Sequence, residues 1–136
     1  MCLGEYGSGH SVVMDGAPDQ GGRNIGARPM EMILLGLGGC ASFDVMTMLQ
    51  KGRQQVSDCR VEISAQRVDA VPAVFSSIHL EFVLSGSNLK ESQVKRAVEL
   101  SAEKYCSASI MLEAAGVEIS NSYRIEAQKN HLTGKK

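Results

Sequence analysis

The 136-residue sequence has no excess of either charge: 14 Lys and Arg stand against 15 Asp and Glu, and neither sign gathers into a block apart from Lys135-Lys136. Nucleic acid, which needs concentrated positive surface, is therefore not an expected partner. Met1 to His10 lacks the basic start, apolar stretch and small-residue cleavage site of a signal peptide, so the expected compartment is the cytoplasm. There is no CxxC or HxxxH spacing, and His10, His79 and His131 fall on separate segments, so no metal is expected. A phosphate-cradling loop between strand and helix is missing too, because Gly36, Gly38 and Gly39 lie inside a predicted helix; no cofactor is expected. Internal repeats are absent, and the only biased segment is a glycine-rich loop early in the chain. The length suits one domain, expected over residues 1–127, with 128–136 as a disordered tail.

What the sequence does have is one long apolar run, Met30 to Leu49. Wound at about 100° per residue it is apolar on every side, which predicts a helix buried all round. Pro29 suits the first helical position, Glu31 complements the positive end of the dipole, and Lys51-Gly52 supplies a cationic last turn and a stop. About twenty apolar residues could span a bilayer, but Glu31, Asp44 and three glycines interrupt the run and no flanking Lys/Arg asymmetry supports insertion. No membrane association is expected. Each glycine weakens an isolated helix by about 0.8–1 kcal/mol relative to alanine, which predicts close packing of another backbone. A chain this short has little to surround such a helix, so a homodimer is expected. Cys40 sits near its centre and shares a face with Ile33, Gly36, Asp44 and Thr47.

Around this helix the sequence reads as mixed α and β. His10–Met14 predicts a short edge strand, Val56–Val68 an alternating half-buried strand, and Ile78–Leu84 its hairpin partner beyond Pro72. Asn88 and Glu91 form a candidate capping pair for a helix to about Glu103, and Cys106–Ala115 a second helical stretch ending at Gly116. Lys104-Tyr105 is either a bend or a break. Val117, Ile119, Tyr123 and Ile125 suit a last strand, with Asn121 on its inner face.

In a reducing compartment the four cysteines are not a disulfide framework, so each thiol needs its own reason. Cys59, on the apolar side of a strand, reads as a small hydrophobe, and Cys2 carries no signal. Cys40 reads equally as filler or as function, its small neighbours Gly36 and Ala41 leaving room for a ligand. Cys106 sits near a helix start, where free N–H groups and the dipole lower a thiol pKa, with Lys104 able to add to this. A Cys-His hydrolase would need a histidine against one of these thiols, and His79 is on the polar side of its strand. Two cysteines on different helices suit another chemistry, in which one thiolate becomes a sulfenic acid and a second resolves it to a disulfide.

The stretches RPMEMILLGLGGC, ASFDVMTMLQKGRQ and LSAEKYCSASIML resemble the OsmC/Ohr family, most closely its YhfA-like branch, over about residues 7 to 125. The resemblance implies an α/β (α+β) fold with antiparallel strands around a long buried central helix, assembled as an intertwined homodimer. It also implies a thiol-dependent peroxidase for small organic hydroperoxides, acting in oxidative or osmotic stress, with Cys40 as the peroxidatic and Cys106 as the resolving residue. A dithiol or lipoyl group would be the reductant. Apolar helix residues, Ile33, Leu37 and Phe43 among them, would favour an alkyl tail. The alternative is a non-catalytic member of the same fold that binds a small apolar ligand or senses oxidation.

Three departures from the peroxidase pattern stand out. Its glutamate directly follows the proline, whereas here Met30 does and Glu31 comes next. Glu31 would lie about 13.5 Å along the helix from Cys40 at about 1.5 Å per residue, so any catalytic part for it would run through an arginine or a partner chain. The arginine that stabilises the thiolate has no counterpart before Arg23, and Arg23 and Arg28 carry no motif that assigns them the part; the sequence is expected to begin inside the family's opening hairpin. After Cys106 comes Ser-Ala-Ser, without the usual proline. Asp44, one turn beyond Cys40, would raise the thiol pKa unless a cation balances it.

Overall fold

A computed structural model describes residues 1–127; the expected tail at 128–136 and His131 lie outside them. The chain forms two compact units, Met1–Gly36 and the remainder from Leu37.

In the first unit, β1 (Cys2–Glu5) and β2 (Ser11–Met14) make an antiparallel hairpin with Cys2 opposite Met14. The expected strand at His10–Met14 thus has a neighbour, formed by the residues before it. Asp15 follows, buried, and its carboxylate accepts the backbone N–H groups of Gly16, Arg23 and Ile25 at 2.8, 2.9 and 3.4 Å. These bonds tie down the glycine-rich loop and hold the Asp15 carboxyl far below the usual carboxylate range. The loop leads into α1 (Pro29–Lys51), whose first turn is capped where the Glu31 carboxylate accepts the Arg28 N–H at 2.9 Å.

Length and composition would let α1 cross a membrane. Within this chain it is not buried all round: Leu37, Gly38, Ala41, Val45 and Leu49 form one buried stripe, while Phe43 on the opposite side is 78% exposed. The close approach at the glycines is also narrower than expected. A Cβ on Gly38 would fall 2.7 Å from Ile63 Cδ1, a side chain rather than a backbone, and one on Gly36 or Gly39 would meet nothing within 4 Å among the described residues. The helix ends as Lys51-Gly52 foretold, but the left-handed residue is Arg53, at φ 60°.

The second unit is built on β3 (Gln55–Arg67), β4 (Phe75–Ser87) and β5 (Glu118–Ala127), in the order β3-β4-β5. The β3–β4 hairpin is antiparallel and matches the alternation in the sequence. β5 runs parallel to β4, so the sheet is mixed rather than antiparallel throughout. A parallel neighbour cannot be reached by a tight turn, and the crossover is made by α2 (Glu91–Leu100), a π-helical turn (Ser101–Tyr105) and α3 (Ser107–Ala114). The middle strand carries most of the core: Ile78, Leu80, Phe82, Val83 and Leu84 are all buried. The expected Asn88/Glu91 cap is not used. Asn88 is itself left-handed at φ 54°, α2 starts at Glu91, and the flanking Lys90 N–H is bound by Gln54 Oε1 at 3.0 Å.

Candidate functional site

The crossover brings the two cysteines together. Ser101 begins a turn that closes with the Cys106 N–H donating to the Ser101 carbonyl at 2.8 Å, a five-residue step in place of the α-helical four. The extra residue breaks the helical run, Cys106 adopts an extended conformation (φ −77°, ψ 100°), and α3 starts immediately after it. The alternative at Lys104-Tyr105 is thus settled as a π-helical turn followed by a break. The buried Ser101 hydroxyl reaches the Ala41 carbonyl of α1 at 3.5 Å. Through this anchor the turn is held against the helix that carries Cys40.

The sulfur atoms of Cys40 and Cys106 and a carboxylate oxygen of Asp44 all lie within 4.8 Å of one another. Cys40 and Asp44 share a face of α1 one turn apart, as the helical period requires. Cys40 is half-buried, whereas Cys106 is fully buried. Burial pushes the Cys106 thiol up to about 11, the N–H of Ser109 pulls the other way, and the Cys40 sulfur and the Asp44 charge add to the rise. The sequence had pointed to a lowered pKa near a helix start; desolvation outweighs that effect here. Asp44 Oδ2 is buried and has no hydrogen-bond partner among the described residues.

Asp44 also lines a pocket of about 520 Å³ between the last turns of α1 and α2. Met48, Leu100 and Tyr105 supply apolar wall; Thr47, Gln93, Lys51 and Arg96 supply polar groups. Lys51 and Arg96 make no ion pair or hydrogen bond among the described residues, and they are the cations nearest in kind to what Asp44 was expected to need. The seven-residue step from Asp44 to Lys51 is a signal legible in the sequence; nothing local marks Arg96. Leu37, expected to meet an alkyl tail, is instead in the core, and neither Ile33 nor Phe43 lines this pocket, both being exposed.

The other candidates lie elsewhere. Cys59 faces the core from β3, where burial and the Asp58 charge push its thiol up to about 11. His79 is bonded on both ring nitrogens, to the hydroxyls of Ser120 at 2.6 Å and Ser122 at 2.8 Å, and is not paired with a thiol. The Arg28 guanidinium is held by Asn24 Oδ1 at 2.6 Å, and Arg23 contributes its backbone N–H to Asp15. Glu31 has the local capping bond described above.

Comparison with known proteins bears on the family and the fold. A family model described as OsmC-like protein matches residues 20–122. The chain is 48% identical over 128 residues to Protein YhfA of Escherichia coli strain K12, covering 92% of this chain and 90% of that protein. A solved structure from structural genomics work is 46% identical with a TM-score of 0.82, covering 92% of this chain and 89% of that one. An organic hydroperoxide resistance protein OsmC from Legionella pneumophila shares the fold at a TM-score of 0.65 and 13% identity, covering 86% of this chain and 84% of its own.

Proposed function

Because this chain belongs to the OsmC-like protein family, we propose that it is a thiol-dependent peroxidase that reduces small organic hydroperoxides in the cytoplasm as a homodimer. The observation that carries this reading is the meeting of Cys40 and Cys106, far apart in sequence, within 4.8 Å. The kinship of fold with an organic hydroperoxide resistance protein supports it.

Cys40, the more accessible thiol, is the attacking residue. Its thiolate takes the terminal oxygen of the hydroperoxide, the O–O bond breaks, and the alkoxide leaves as an alcohol after taking a proton. Cys40 is then a sulfenic acid. Cys106 attacks that sulfur, water departs, and a disulfide remains for a dithiol or lipoyl reductant to open. The raised pKa of Cys106 suits this order, since a thiol that stays protonated does not compete for the peroxide. Lys51 and Arg96, which line the same pocket as Asp44, are the cations assigned to balance its charge. The alkyl tail lies on Met48, Leu100 and Tyr105, each Å² of covered apolar surface contributing about 25 cal/mol. The exposed side of α1, with Gly39 and Phe43, packs on a second chain; Glu31 acts through an arginine or on the site of that second chain.

The test is intact mass under non-reducing conditions before and after one equivalent of cumene hydroperoxide. The expected result is loss of two hydrogens per chain mapped to Cys40 and Cys106. A Cys40→Ser chain that consumes the peroxide as fast as its parent would overturn the assignment. The second reading, a non-catalytic dimer that binds a small apolar ligand or senses oxidation, draws on the carboxylate placed beside the thiols. Unchanged thiols in folded protein after minutes with peroxide would favour it.

A further inference from the structure

We propose that, with its thiols reduced, the Cys40–Asp44–Cys106 cluster is a binding site for one zinc-class divalent cation. The expectation of no metal came from sequence spacing alone, and the fold assembles by a crossover what the spacing does not display.

Three independent features converge. The first is distance: all three ligand atoms lie within 4.8 Å of one another. Bonds of about 2.3 Å to sulfur and about 2.0–2.2 Å to oxygen give tetrahedral edges of roughly 3.5–3.8 Å, so side-chain rotation of an ångström or less closes the shell. The second is a missing partner. The large majority of buried side-chain polar atoms in folded proteins are bonded, and a water or an ion is one of the partners an orphan can take. Asp44 Oδ2 is such an orphan among the described residues, on the carboxylate that lies beside the two sulfurs. The third is support. Cys40 and Asp44 stand at positions i and i+4 of one helix, a spacing that presents two ligands to one ion. Cys106 is fixed by the π-helical turn that Ser101 ties to α1.

The donor set selects the ion. Two thiolates with one carboxylate favour a borderline-soft cation over calcium or magnesium, which take oxygen ligands. Two thiolates and a carboxylate leave one net negative charge around a divalent ion. Lys51 and Arg96 line the pocket that Asp44 also lines, so two cations stand on that side of the cluster. The fourth coordination position remains for water or a small ligand. Ion and disulfide exclude each other, because a sulfur engaged in a disulfide has no thiolate to donate. The site is therefore closed to metal once the pair is oxidised.

The test uses the full chain, reduced and free of metal, titrated anaerobically with Co²⁺ and then Zn²⁺. One Co²⁺ per chain with sulfur-to-cobalt charge-transfer absorption is expected, displaced by Zn²⁺ and lost in Cys40→Ser. Asp44→Asn should weaken Zn²⁺ binding by about 10-fold or more. If Cys106→Ser, at a buried position, fails to fold, zinc X-ray absorption of the parent chain reads the same point: two sulfur neighbours at about 2.3 Å. Absence of the charge-transfer band, a band that survives in Cys40→Ser, or an Asp44→Asn affinity equal to the parent's would overturn the proposal. Peroxide-driven mass loss in the metal-free protein is read separately, so this site and the peroxidase reading can fail independently.

Discussion

Cys106 should be the slowest thiol near the site to react with an alkylating agent, by a margin that follows from its surroundings. Burial holds it up to about 11, against an ordinary thiol value of 9.0. At about pH 8 that leaves roughly one molecule in a thousand as thiolate, compared with roughly one in ten for an ordinary cysteine, and only the thiolate is alkylated. The deficit is about a hundredfold before access is counted, and Cys106 has no exposed surface. Timed iodoacetamide labelling of reduced protein, quenched and mapped by mass spectrometry, compares it with Cys2, which is exposed. Cys106 labelling should climb about tenfold per pH unit toward about 11. Asp44→Asn should accelerate it only a few-fold, since the Asp44 charge adds less than burial does. Labelling of Cys106 within tenfold of Cys2 at about pH 8 would refute the reasoning. The raised values also have a stability consequence. A thiol held neutral by the fold stabilises it fully below the unfolded value, and this contribution is lost as pH climbs from about 9 through about 11. Cys59 shares the same window, so alkaline unfolding should begin there and be shifted upward in Cys59→Ala.

Two further outcomes concern the first helix and the first loop. Gly39→Ala meets nothing within 4 Å among the described residues and would by itself gain about 0.8–1 kcal/mol of helix stability; if a second chain covers this side, the added methyl instead lowers the melting temperature and shifts light scattering toward monomer, and a rise in melting temperature would remove Gly39 from the interface. Acid should loosen residues 16–25, because the Asp15 carboxyl is held below its ordinary value: its contribution is complete above about pH 3.8 and is lost as pH falls below that. Hydrogen exchange at the Arg23 and Ile25 N–H groups reads this, and Asp15→Asn should show weak protection there already at neutral pH.

The elements that follow a regular period were legible in the sequence. The helix over Pro29–Lys51 announced both of its ends, and the β3–β4 hairpin followed from strict alternation with a break at Pro72. Direction of pairing was not legible, because the period of two is the same in parallel and antiparallel strands, so β5 gave no sign that it runs beside β4 in the same sense. The π-helical turn depends on where Cys106 must arrive, and no local residue preference encodes that. For the same reason the pair Cys40 and Cys106 could be named from family likeness and Asp44 placed one turn from Cys40 by the helical period, but Asp44 could not be joined to Cys106, and Arg96 could not be brought to the pocket at all. The Cys106 pKa went the other way from the helix-start expectation because depth of burial is a tertiary property.

The parallel strand has a consequence in time. Strands β3 and β4 are sequence neighbours and can zip together as soon as residues 55–87 are available. Strand β5 can dock only after the intervening helices have swung across, and pairing between distant segments is the slow kind. This topology predicts an order of assembly in which the hairpin forms early and the seam between β4 and β5 late. Cys106 belongs to the late segment and Cys40 to a segment made long before it. The expected order is protection of the hairpin before the two sulfurs meet, which pulsed hydrogen exchange during refolding would read.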